Sequence, residues 1–302
     1  MNALTIYILC HNRPFDTRQT ILSVLKQYDH AFTLIVSDNS SNDEVEVMVK
    51  QEFPEIGYIR RLPMLPVAEH FNRCIEEAQS EYFCLFHDDD LMGANFVSVM
   101  KQNINAYPAA IAFGCNANIE TSGQLAPRPS FRSFRHHELI NTPRDLAMRY
   151  FSRGQSGIAP FPGYVYNKNK VAEHRLLVDG GKYADVTWLL NLVKLGQIVW
   201  INMPLMTYRM HGGNDGSTES MRDRLRFLRY LKQNKVQIGE SILEDYRCSF
   251  IYKTIYKRDD KVHMKRREVA TKFLKSYRKS RLSRFGTYNI ILKRAFIKLK
   301  TE

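Results

Sequence analysis

The run Tyr82-Phe83-Cys84-Leu85-Phe86-His87-Asp88-Asp89-Asp90 passes directly from an apolar segment into three adjacent carboxylates. Residues Tyr82–Phe86 are apolar or aromatic, which predicts a short buried β-strand. Three neighbouring carboxylates repel one another unless solvent or a cation relieves the repulsion. Hard divalent ions such as Mg²⁺ and Mn²⁺ prefer carboxylate oxygens and often share coordination with substrate phosphates. Two interpretations follow for residues 88–90, a solvated acidic turn or a metal site, and the motifs elsewhere in the chain favour the metal site.

The chain before this run alternates strand and helix signals. Apolar and β-branched runs predict strands at Leu4–Leu9, Phe32–Val36 and Gly57–Arg60. Helical spacing of apolar residues predicts helices between them, at residues 17–27, 45–53 and 68–78. Repeated βα units form a mostly parallel sheet with helices on both faces, so the predicted fold class is α/β.

Two polar loops follow strands of this sheet. Residues 37–43 come after the second strand, and residues 87–90 come after the Tyr82–Phe86 strand. In open sheets of this kind, ligands bind outside the carboxyl ends of the strands. We therefore expect both loops at the same edge of the sheet, where they form one site.

The chain from 105 to 208 is less regular. Prolines and glycines predict a mixture of strands and loops over residues 105–175. Asp185–Leu195 has the apolar spacing of a helix, and two strands are predicted after it, at Gln197–Asn202 and Pro204–Tyr208.

Composition excludes several classes of protein. The chain has 302 residues, of which 44% are hydrophobic and 25% charged, as is usual for a globular protein. No apolar run reaches the roughly 18 residues of a transmembrane helix, and the N-terminus lacks the basic region and cleavage site of a signal peptide. The cysteines are scattered without a Cys-x-x-Cys pair, which argues against disulfides and thiolate zinc and favours a reducing cytoplasm. They are Cys10, Cys74, Cys84, Cys115 and Cys248.

The net charge of +13 is concentrated in the C-terminal segment. Residues 219–302 hold 24 Lys and Arg against 9 Asp and Glu, whereas residues 1–218 hold 20 against 22. The division predicts one domain at 1–218 and a basic helical region at 219–302, with an anionic partner for the latter.

Two apolar stripes run through this basic region. The first comprises Met221, Leu225, Leu228 and Leu231. The second, which alternates with Lys and Arg, comprises Phe285, Tyr288, Leu292, Ala295, Phe296 and Leu299. The second stripe favours an amphipathic helix lying on an anionic membrane surface. The alternatives are a helix packed on the first domain with a solvated basic face and, least favoured, a nucleic-acid-binding tail.

Six segments, in order, resemble the motifs of glycosyltransferase family 2, whose members have the GT-A fold. The resemblance covers about residues 4–215. The segments are Ile8–Pro14 (first strand and nucleotide loop), Asp38–Asp43 ("DDGSTD"), Asn72, Phe86–Leu91 ("LDADDL"), Tyr183–Asp185 (the segment of the catalytic base) and Tyr208–His211 with Ser217 ("YRxH…S"). Each motif alone is a weak signal, but six in the right order are specific.

The resemblance implies a GT-A catalytic domain with a Rossmann-like, mostly parallel sheet, and an inverting transfer of sugar. It implies nucleotide contacts from Cys10, His11, Asn12, Arg13, Asp38, Asn72 and Asp88. It also implies a Mn²⁺ or Mg²⁺ ion held by Asp88, Asp89, Asp90 and His211, with the ion stabilising the diphosphate leaving group. The alternative to metal binding by His211 is a structural or phosphate-facing role. Asp185 is the implied general base, with a helix N-cap as the alternative or additional role.

The chain departs from the family pattern at one position. In the "LDADDL" motif His87 stands where the family has its first Asp. The family's Asp-x-Asp spacing survives only as Asp88-x-Asp90, one step out of register, so the overlay favours Asp89 as metal ligand with Asp88 and Asp90 close behind.

The function expected is transfer of a sugar from a nucleotide-diphosphate donor, a UDP-sugar, to a saccharide acceptor. The basic tail favours a lipid-linked acceptor at the cytoplasmic face of the cell membrane, in O-antigen or capsule synthesis, without a nucleic-acid partner. Two alternatives are a nucleotidyltransferase that makes sugar nucleotides, disfavoured because Leu9–Phe15 lacks glycine, and a non-enzymatic module with a nucleic-acid-binding tail.

Overall fold

The structure is a computed structural model that describes residues 3–131, 135–151, 161–212 and 221–247, together with residues 271 and 275. The strands are β1 (Leu4–Cys10), β2 (Thr33–Asp38), β3 (Gly57–Arg60), β4 (Tyr82–His87), β5 (Leu91–Met92), β6 (Ala112–Thr121), β7 (Gln124–Leu125), β8 (His137–Ile140), β9 (Tyr164–Asn167) and β10 (Ile198–Met210). The helices are α1 (Pro14–Leu25), α2 (Glu44–Glu52), α3 (Val67–Glu77), α4 (Phe96–Ala106), α5 (Pro143–Phe151), α6 (Lys168–Val171), α7 (Ala184–Leu192) and α8 (Met221–Gln233). The strands and helices predicted for the first ninety residues are confirmed to within a few residues at each end.

The described strands form one mixed sheet in the order β3-β2-β1-β4-β9-β6-β10-β5, with β7 added to β6 and β8 added to β10. Strands β3, β2, β1 and β4 are parallel, and β9 lies antiparallel between β4 and β6. The mostly parallel sheet flanked by helices confirms the predicted fold class. The carboxyl ends of β1, β2 and β4 consequently meet at one edge.

Alternate residues of the central strands enter two separate cores, as the period of two in a strand requires. In β1, Ile6 and Ile8 belong to one core and Tyr7 and Leu9 to the other. Helices α1, α2 and α4 cover the Ile6 side, whereas α3, α5, α7 and α8 cover the Tyr7 side. Both faces are therefore buried, which explains why the central strands are apolar runs rather than alternating ones.

The two strands predicted near residue 200 are one strand in the structure. β10 continues from Ile198 to Met210, and its parallel register with β6 shifts on either side of Pro204. Proline has no backbone N–H to donate to the ladder, so it interrupts the register without ending the strand. The long strand carries Arg209 and the residues after it to the same edge as the end of β4.

The start of the basic region packs on the Tyr7 side of the sheet. Phe227, Tyr230 and Leu231 of α8 are buried there, and so are Ile242 and Tyr246 of the helix over residues 240–247.

The first predicted apolar stripe is confirmed in part. Leu231 is buried and Leu228 packs on the same core, whereas Leu225 is half exposed and the aromatic residues Phe227 and Tyr230 complete the buried face. The second stripe, at 285–299, lies outside the described residues. Within the described residues, no helix is long and apolar enough to cross a membrane. The four cysteines in the described part of the chain are buried and free.

Candidate active site

The polar edge of the sheet is assembled by strand register. Cys10, the last residue of β1, pairs with Asp38 of β2, and Leu9 pairs with His87 at the end of β4. The loops that follow these three strands therefore begin side by side. Residues far apart in the sequence meet there because parallel strands end at the same edge.

An ion-pair network joins the loop after β1 to the acidic run. The Arg13 guanidinium lies 2.6 Å from Asp88 Oδ1 through Nη2 and 2.6 Å from Asp89 Oδ2 through Nη1. Asp88 Oδ2 also accepts hydrogen bonds from Arg13 Nε and from the His11 backbone N–H, at 3.2 and 3.0 Å. Both oxygens of Asp88, whose residue is completely buried, are thus occupied by the loop after β1.

The end of β10 holds the other side of the acidic run. The Arg209 backbone N–H donates to Asp90 Oδ1 at 3.1 Å, and Arg209 Nε donates to the Asp89 carbonyl oxygen at 2.5 Å. His211 Nε2 lies 3.1 Å from Asp89 Oδ2. The hydroxyl of Thr20, in α1, lies 2.9 and 2.7 Å from the carbonyl oxygens of Asp88 and Asp90. The acidic run is therefore held by the loop after β1, the end of β10 and helix α1.

The three carboxyl groups differ in acidity. Burial raises the pKa of Asp88 to about 7 against the lowering effect of Arg13, and burial together with Asp89 raises the pKa of Asp90 well above its usual range. Burial also acts to raise the pKa of Asp89, but the charges of His87 and Arg13 outweigh it and the pKa is lowered. A divalent cation at this cluster would favour the ionised form of every carboxyl group near it.

Three donor groups at this edge are arranged for an ion. Ligand atoms of His87, Asp89 and Asp90 all lie within 4.8 Å of one another. Asp90 Oδ2 is buried and has no hydrogen-bond partner among the described residues. A buried carboxylate oxygen without a partner is costly, and a bound cation would satisfy it. The residues present therefore fit a divalent metal ion.

The loop after β2 is ordered mainly by Asp38. This carboxylate is completely buried; Oδ2 accepts from Tyr58 Oη and Arg60 Nη1, each at 2.7 Å, and Oδ1 accepts from the Ser40 backbone N–H at 2.9 Å. Tyr58 and Arg60 belong to β3, so Asp38 links the loop after β2 to the neighbouring strand. The contact of Asp38 with a nucleotide base stays a prediction.

Asn12 links the first two loops of the edge. Its backbone has a φ of 55°, a left-handed conformation that asparagine tolerates better than most residues. Its side-chain Oδ1 accepts from the Ser41 backbone N–H at 2.9 Å, and its own N–H donates to Ser40 Oγ at 2.8 Å. His11 adds an Nδ1 hydrogen bond to the Asn39 carbonyl oxygen at 2.8 Å. His11, Asn12 and Arg13 therefore lie at the edge as predicted, beside the β2 loop.

The side chains of two further residues of the predicted nucleotide set have contacts inside the protein. Cys10 belongs to the Ile6-side core and is 1% exposed. The Asn72 amide donates to the Leu176 carbonyl oxygen at 3.1 Å and accepts from the Leu176 N–H at 2.7 Å. Cys10 therefore packs, and Asn72 anchors the segment that leads to α7.

Asp185 lies in the first turn of α7, after the N-cap residue Tyr183. Its Oδ1 accepts from the Val186 N–H at 2.8 Å, and its side chain remains partly exposed to solvent. Burial nonetheless raises the pKa of Asp185 to about 6. Because Tyr183 is the N-cap, Asp185 does not have that role. A carboxylate with a pKa of about 6 is largely ionised at neutral pH, as a general base must be.

Two side chains that organise the edge, Thr20 and Arg60, are absent from the sequence predictions. The strand order alone places Arg60 at the site, because β3 pairs Arg60 directly with Asp38. Arg209 belongs to the Tyr208–His211 motif, but its bonds to Asp89 and Asp90 depend on where β10 ends. Thr20 carries no signal in the sequence, since it lies in an ordinary amphipathic helix.

The mostly parallel sheet with clustered carboxylates at one edge has the GT-A architecture. The model of the family described as "Glycosyl transferase family 2" matches residues 5–161, just over half of the chain. The chain belongs to glycosyltransferase family 2. A comparison with curated protein sequences finds no match.

The fold is similar to that of S. aureus TarS. TarS 1–349 in complex with UDP-GlcNAc matches with a TM-score of 0.63 at 13% identity, over 91% of this chain and 79% of that one. A longer TarS structure matches with a TM-score of 0.58 at 12% identity, over 82% of this chain and 43% of that one. The chain thus spans less than half of the longer TarS structure, and at these identities the likeness shows the fold alone.

Proposed function

We propose that this protein transfers a sugar from a UDP-sugar to a saccharide acceptor, with inversion at the anomeric carbon and with help from a divalent metal ion. The observation that carries the proposal is the buried edge cluster, in which Asp90 Oδ2 lacks a partner among the described residues while family membership supplies the reaction class. The UDP donor is supported by the crystal structures of the similar TarS, which include complexes with UDP-GlcNAc and with UDP.

The donor diphosphate is proposed to lie against the loops after β1, β2 and β4. The metal ion, Mn²⁺ or Mg²⁺, would supply Lewis-acid stabilisation of the diphosphate as it leaves. Asp89 and Asp90 would hold it, while Asp88 keeps Arg13 and the His11 backbone in place. His11, Asn12 and Arg13 border the same loops and are the proposed nucleotide contacts, with Asp38 holding the β2 loop against them.

Asp185 is proposed to take the proton from the acceptor hydroxyl as that oxygen attacks the anomeric carbon. A pKa raised to about 6 leaves the carboxylate ionised at neutral pH but more basic than an exposed aspartate. A single attack by the acceptor, without a covalent sugar–enzyme intermediate, inverts the anomeric configuration.

The chain is proposed to divide into a GT-A domain at 1–218 and a basic helical region at 219–302. The excess of Lys and Arg in the second part supports an anionic surface as partner, and a lipid-linked saccharide as acceptor. On this proposal the protein works at the inner face of the cell membrane in the synthesis of a surface polysaccharide.

The test is a panel of nucleotide sugars with Mn²⁺ and candidate saccharide acceptors, followed by release of nucleoside diphosphate and by NMR of the product linkage. Asp185→Asn is expected to lower kcat by about 10²–10⁴ while leaving the Kd for UDP within a few-fold of wild type. Asp89→Asn is expected to lower turnover at least about a hundredfold and to weaken metal-dependent UDP binding.

The matched control is Glu55→Gln, which also converts a carboxylate into an amide. Glu55 is exposed and precedes β3, so it lies at the opposite edge of the sheet. It should retain wild-type turnover. Full activity of Asp185→Asn would remove Asp185 as the base, and pyrophosphate release from a nucleoside triphosphate would replace transfer by nucleotidyl transfer.

A further inference from the structure

The acidic run contains one nitrogen donor, which the family pattern does not have. His87 is the last residue of β4, and a ligand nitrogen of its ring lies within 4.8 Å of ligand oxygens of Asp89 and Asp90. Asp89 and Asp90 are buried, whereas His87 is partly exposed. Asp88 is not a member of the group. Its Oδ1 forms an ion pair with Arg13, and its Oδ2 accepts from the His11 N–H.

The spacing of these three groups suits a single ion. Nitrogen and oxygen ligands lie about 2.0–2.2 Å from ions of this size, so donors on opposite sides are separated by about 4.4 Å. The observed limit of 4.8 Å exceeds that only by a few tenths of an ångström, which a side-chain rotation covers.

The hydrogen bonds of Asp89 and Asp90 leave one carboxylate oxygen of each residue for that ion. Arg13 and His211 both bond Oδ2 of Asp89, so Oδ1 is the oxygen that they leave for a ligand role. The Arg209 N–H bonds Oδ1 of Asp90, and Oδ2 has no partner among the described residues. Arg13, His211 and Arg209 would then act on the metal by orienting its ligands.

We propose that His87 is a direct ligand, so that the protein has a mixed imidazole–carboxylate site that selects Mn²⁺ and similar transition ions over Mg²⁺. Imidazole suits first-row transition ions, whereas Mg²⁺ and Ca²⁺ prefer oxygen-only sites; Mn²⁺ accepts both kinds of donor. This inference rests on the proposed function, because it concerns the metal of the same site, and it adds which ion that site takes and why.

The experiment is pulsed EPR on the full chain loaded with Mn²⁺ and UDP, together with a Mn²⁺ titration followed by EPR. The wild-type protein should show electron spin-echo modulation from a directly bound imidazole ¹⁴N. His87→Asn should lose the modulation and weaken Mn²⁺ binding at least about tenfold, since losing even an outer-shell partner costs that much.

A second variant, His87→Asp, tests the same ligand role without depending on whether His87→Asn folds. His87→Asp restores an oxygen donor, so it should bind Mn²⁺ without ¹⁴N modulation and lower the Kd for Mg²⁺ relative to that for Mn²⁺ at least about tenfold. Circular dichroism and the thermal midpoint show whether each variant is folded.

Two histidine variants serve as controls. His211→Asn should keep the ¹⁴N modulation, and so should His30→Asn, an exposed histidine outside the site. Modulation that survives in His87→Asp but disappears in His211→Asn would overturn the inference and transfer the ligand role to His211. Mn²⁺ binding without ¹⁴N modulation overturns the inference alone, whereas failure to bind any divalent ion with UDP overturns the proposed metal mechanism as well.

Discussion

At the scale of single residues, the carboxylates of this protein are distinguished by what surrounds them. Asp89 has its pKa lowered because positive charges outweigh the effect of burial, whereas burial raises the pKa of Asp185 to about 6. Asp185 has only backbone hydrogen bonds, such as the one from Val186, to oppose that effect. The effect of Asp185 ionisation on the stability of the fold therefore has one main cause, the burial of its carboxyl group.

The first prediction concerns the stability of Asp185→Asn at different pH values. A raised pKa in the folded state means that the native protein binds this proton more tightly than the unfolded chain does. The group's stabilising contribution is present below its unfolded pKa of about 4 and is lost as the pH rises through 6. Asp185→Asn should therefore be more stable than wild type at pH 8 by about 1–3 kcal/mol, and the difference should shrink at pH 4.5.

Urea unfolding of both proteins at the two pH values measures this difference. Glu55→Gln, an exposed substitution of the same kind, should show no such dependence. A stability gap that grows toward low pH has the opposite sign and would contradict the environment assigned to Asp185.

At the scale of elements, α3 (Val67–Glu77) holds the segment that leads to α7. The Asn72 amide makes two hydrogen bonds to the backbone of Leu176. The Arg175 guanidinium adds ion pairs to Glu69 and Glu76, at 2.8 and 2.6 Å, on the same helix. The buried amide carries more of the energy, because exposed ion pairs contribute little. The position of Asp185 therefore depends on a helix more than one hundred residues earlier.

The second prediction is that Asn72→Ala destabilises the protein by about 1–3 kcal/mol, because the Leu176 N–H and carbonyl lose their buried partner. Displacing the segment before α7 should lower kcat, while the Kd for UDP stays within a few-fold of wild type. Isothermal titration with UDP and steady-state kinetics separate the two effects.

Asn103→Ala provides the matched control. Asn103 is also a buried asparagine, but it bonds within α4 on the opposite face of the sheet. It should change stability without a selective loss of kcat. A large rise in the Kd for UDP in Asn72→Ala would instead support the predicted nucleotide contact of Asn72.

At the scale of the whole molecule, charge is separated along the chain. Residues 1–218 are nearly neutral, and residues 219–302 carry a large excess of Lys and Arg. The described start of the basic region, through Phe227 and Tyr230, is buried against the sheet. The proposed tail therefore follows a segment that packs on the sheet carrying the candidate active site.

The third prediction is that the full chain sediments with anionic vesicles and that deletion of residues 280–302 weakens this binding at least about tenfold. Each Lys or Arg near an anionic surface contributes about 1 kcal/mol, and salt screens that attraction. Neutralising Lys293, Arg294 and Lys298 to Gln should also weaken binding, with a smaller effect at high salt.

Neutralising the exposed lysines Lys26, Lys50 and Lys194 in the same way is the control with an equal change of charge. It should leave vesicle binding within a few-fold of wild type. Equal binding by the deletion variant and the full chain would remove the tail as the membrane contact.

The sequence by itself determined the order of strands and helices near the N-terminus and the edge at which the site forms. Apolar periodicity is a property of near neighbours in the chain, and parallel strands end together whatever their side chains. The family motifs also identified the acidic run, Asp185 and the Arg209 segment, because each motif is a short continuous stretch.

Only the tertiary structure decided which partner each polar side chain has. Cys10 and Asn72 belong to site motifs, yet one packs in a core and the other holds Leu176, 104 positions away. Asp38 bonds Tyr58 and Arg60 of the next strand, and His87 joins Asp89 and Asp90 as a donor group while Asp88 does not. Hydrogen bonds and ion pairs depend on distances between residues remote in the sequence, and folding alone sets those distances.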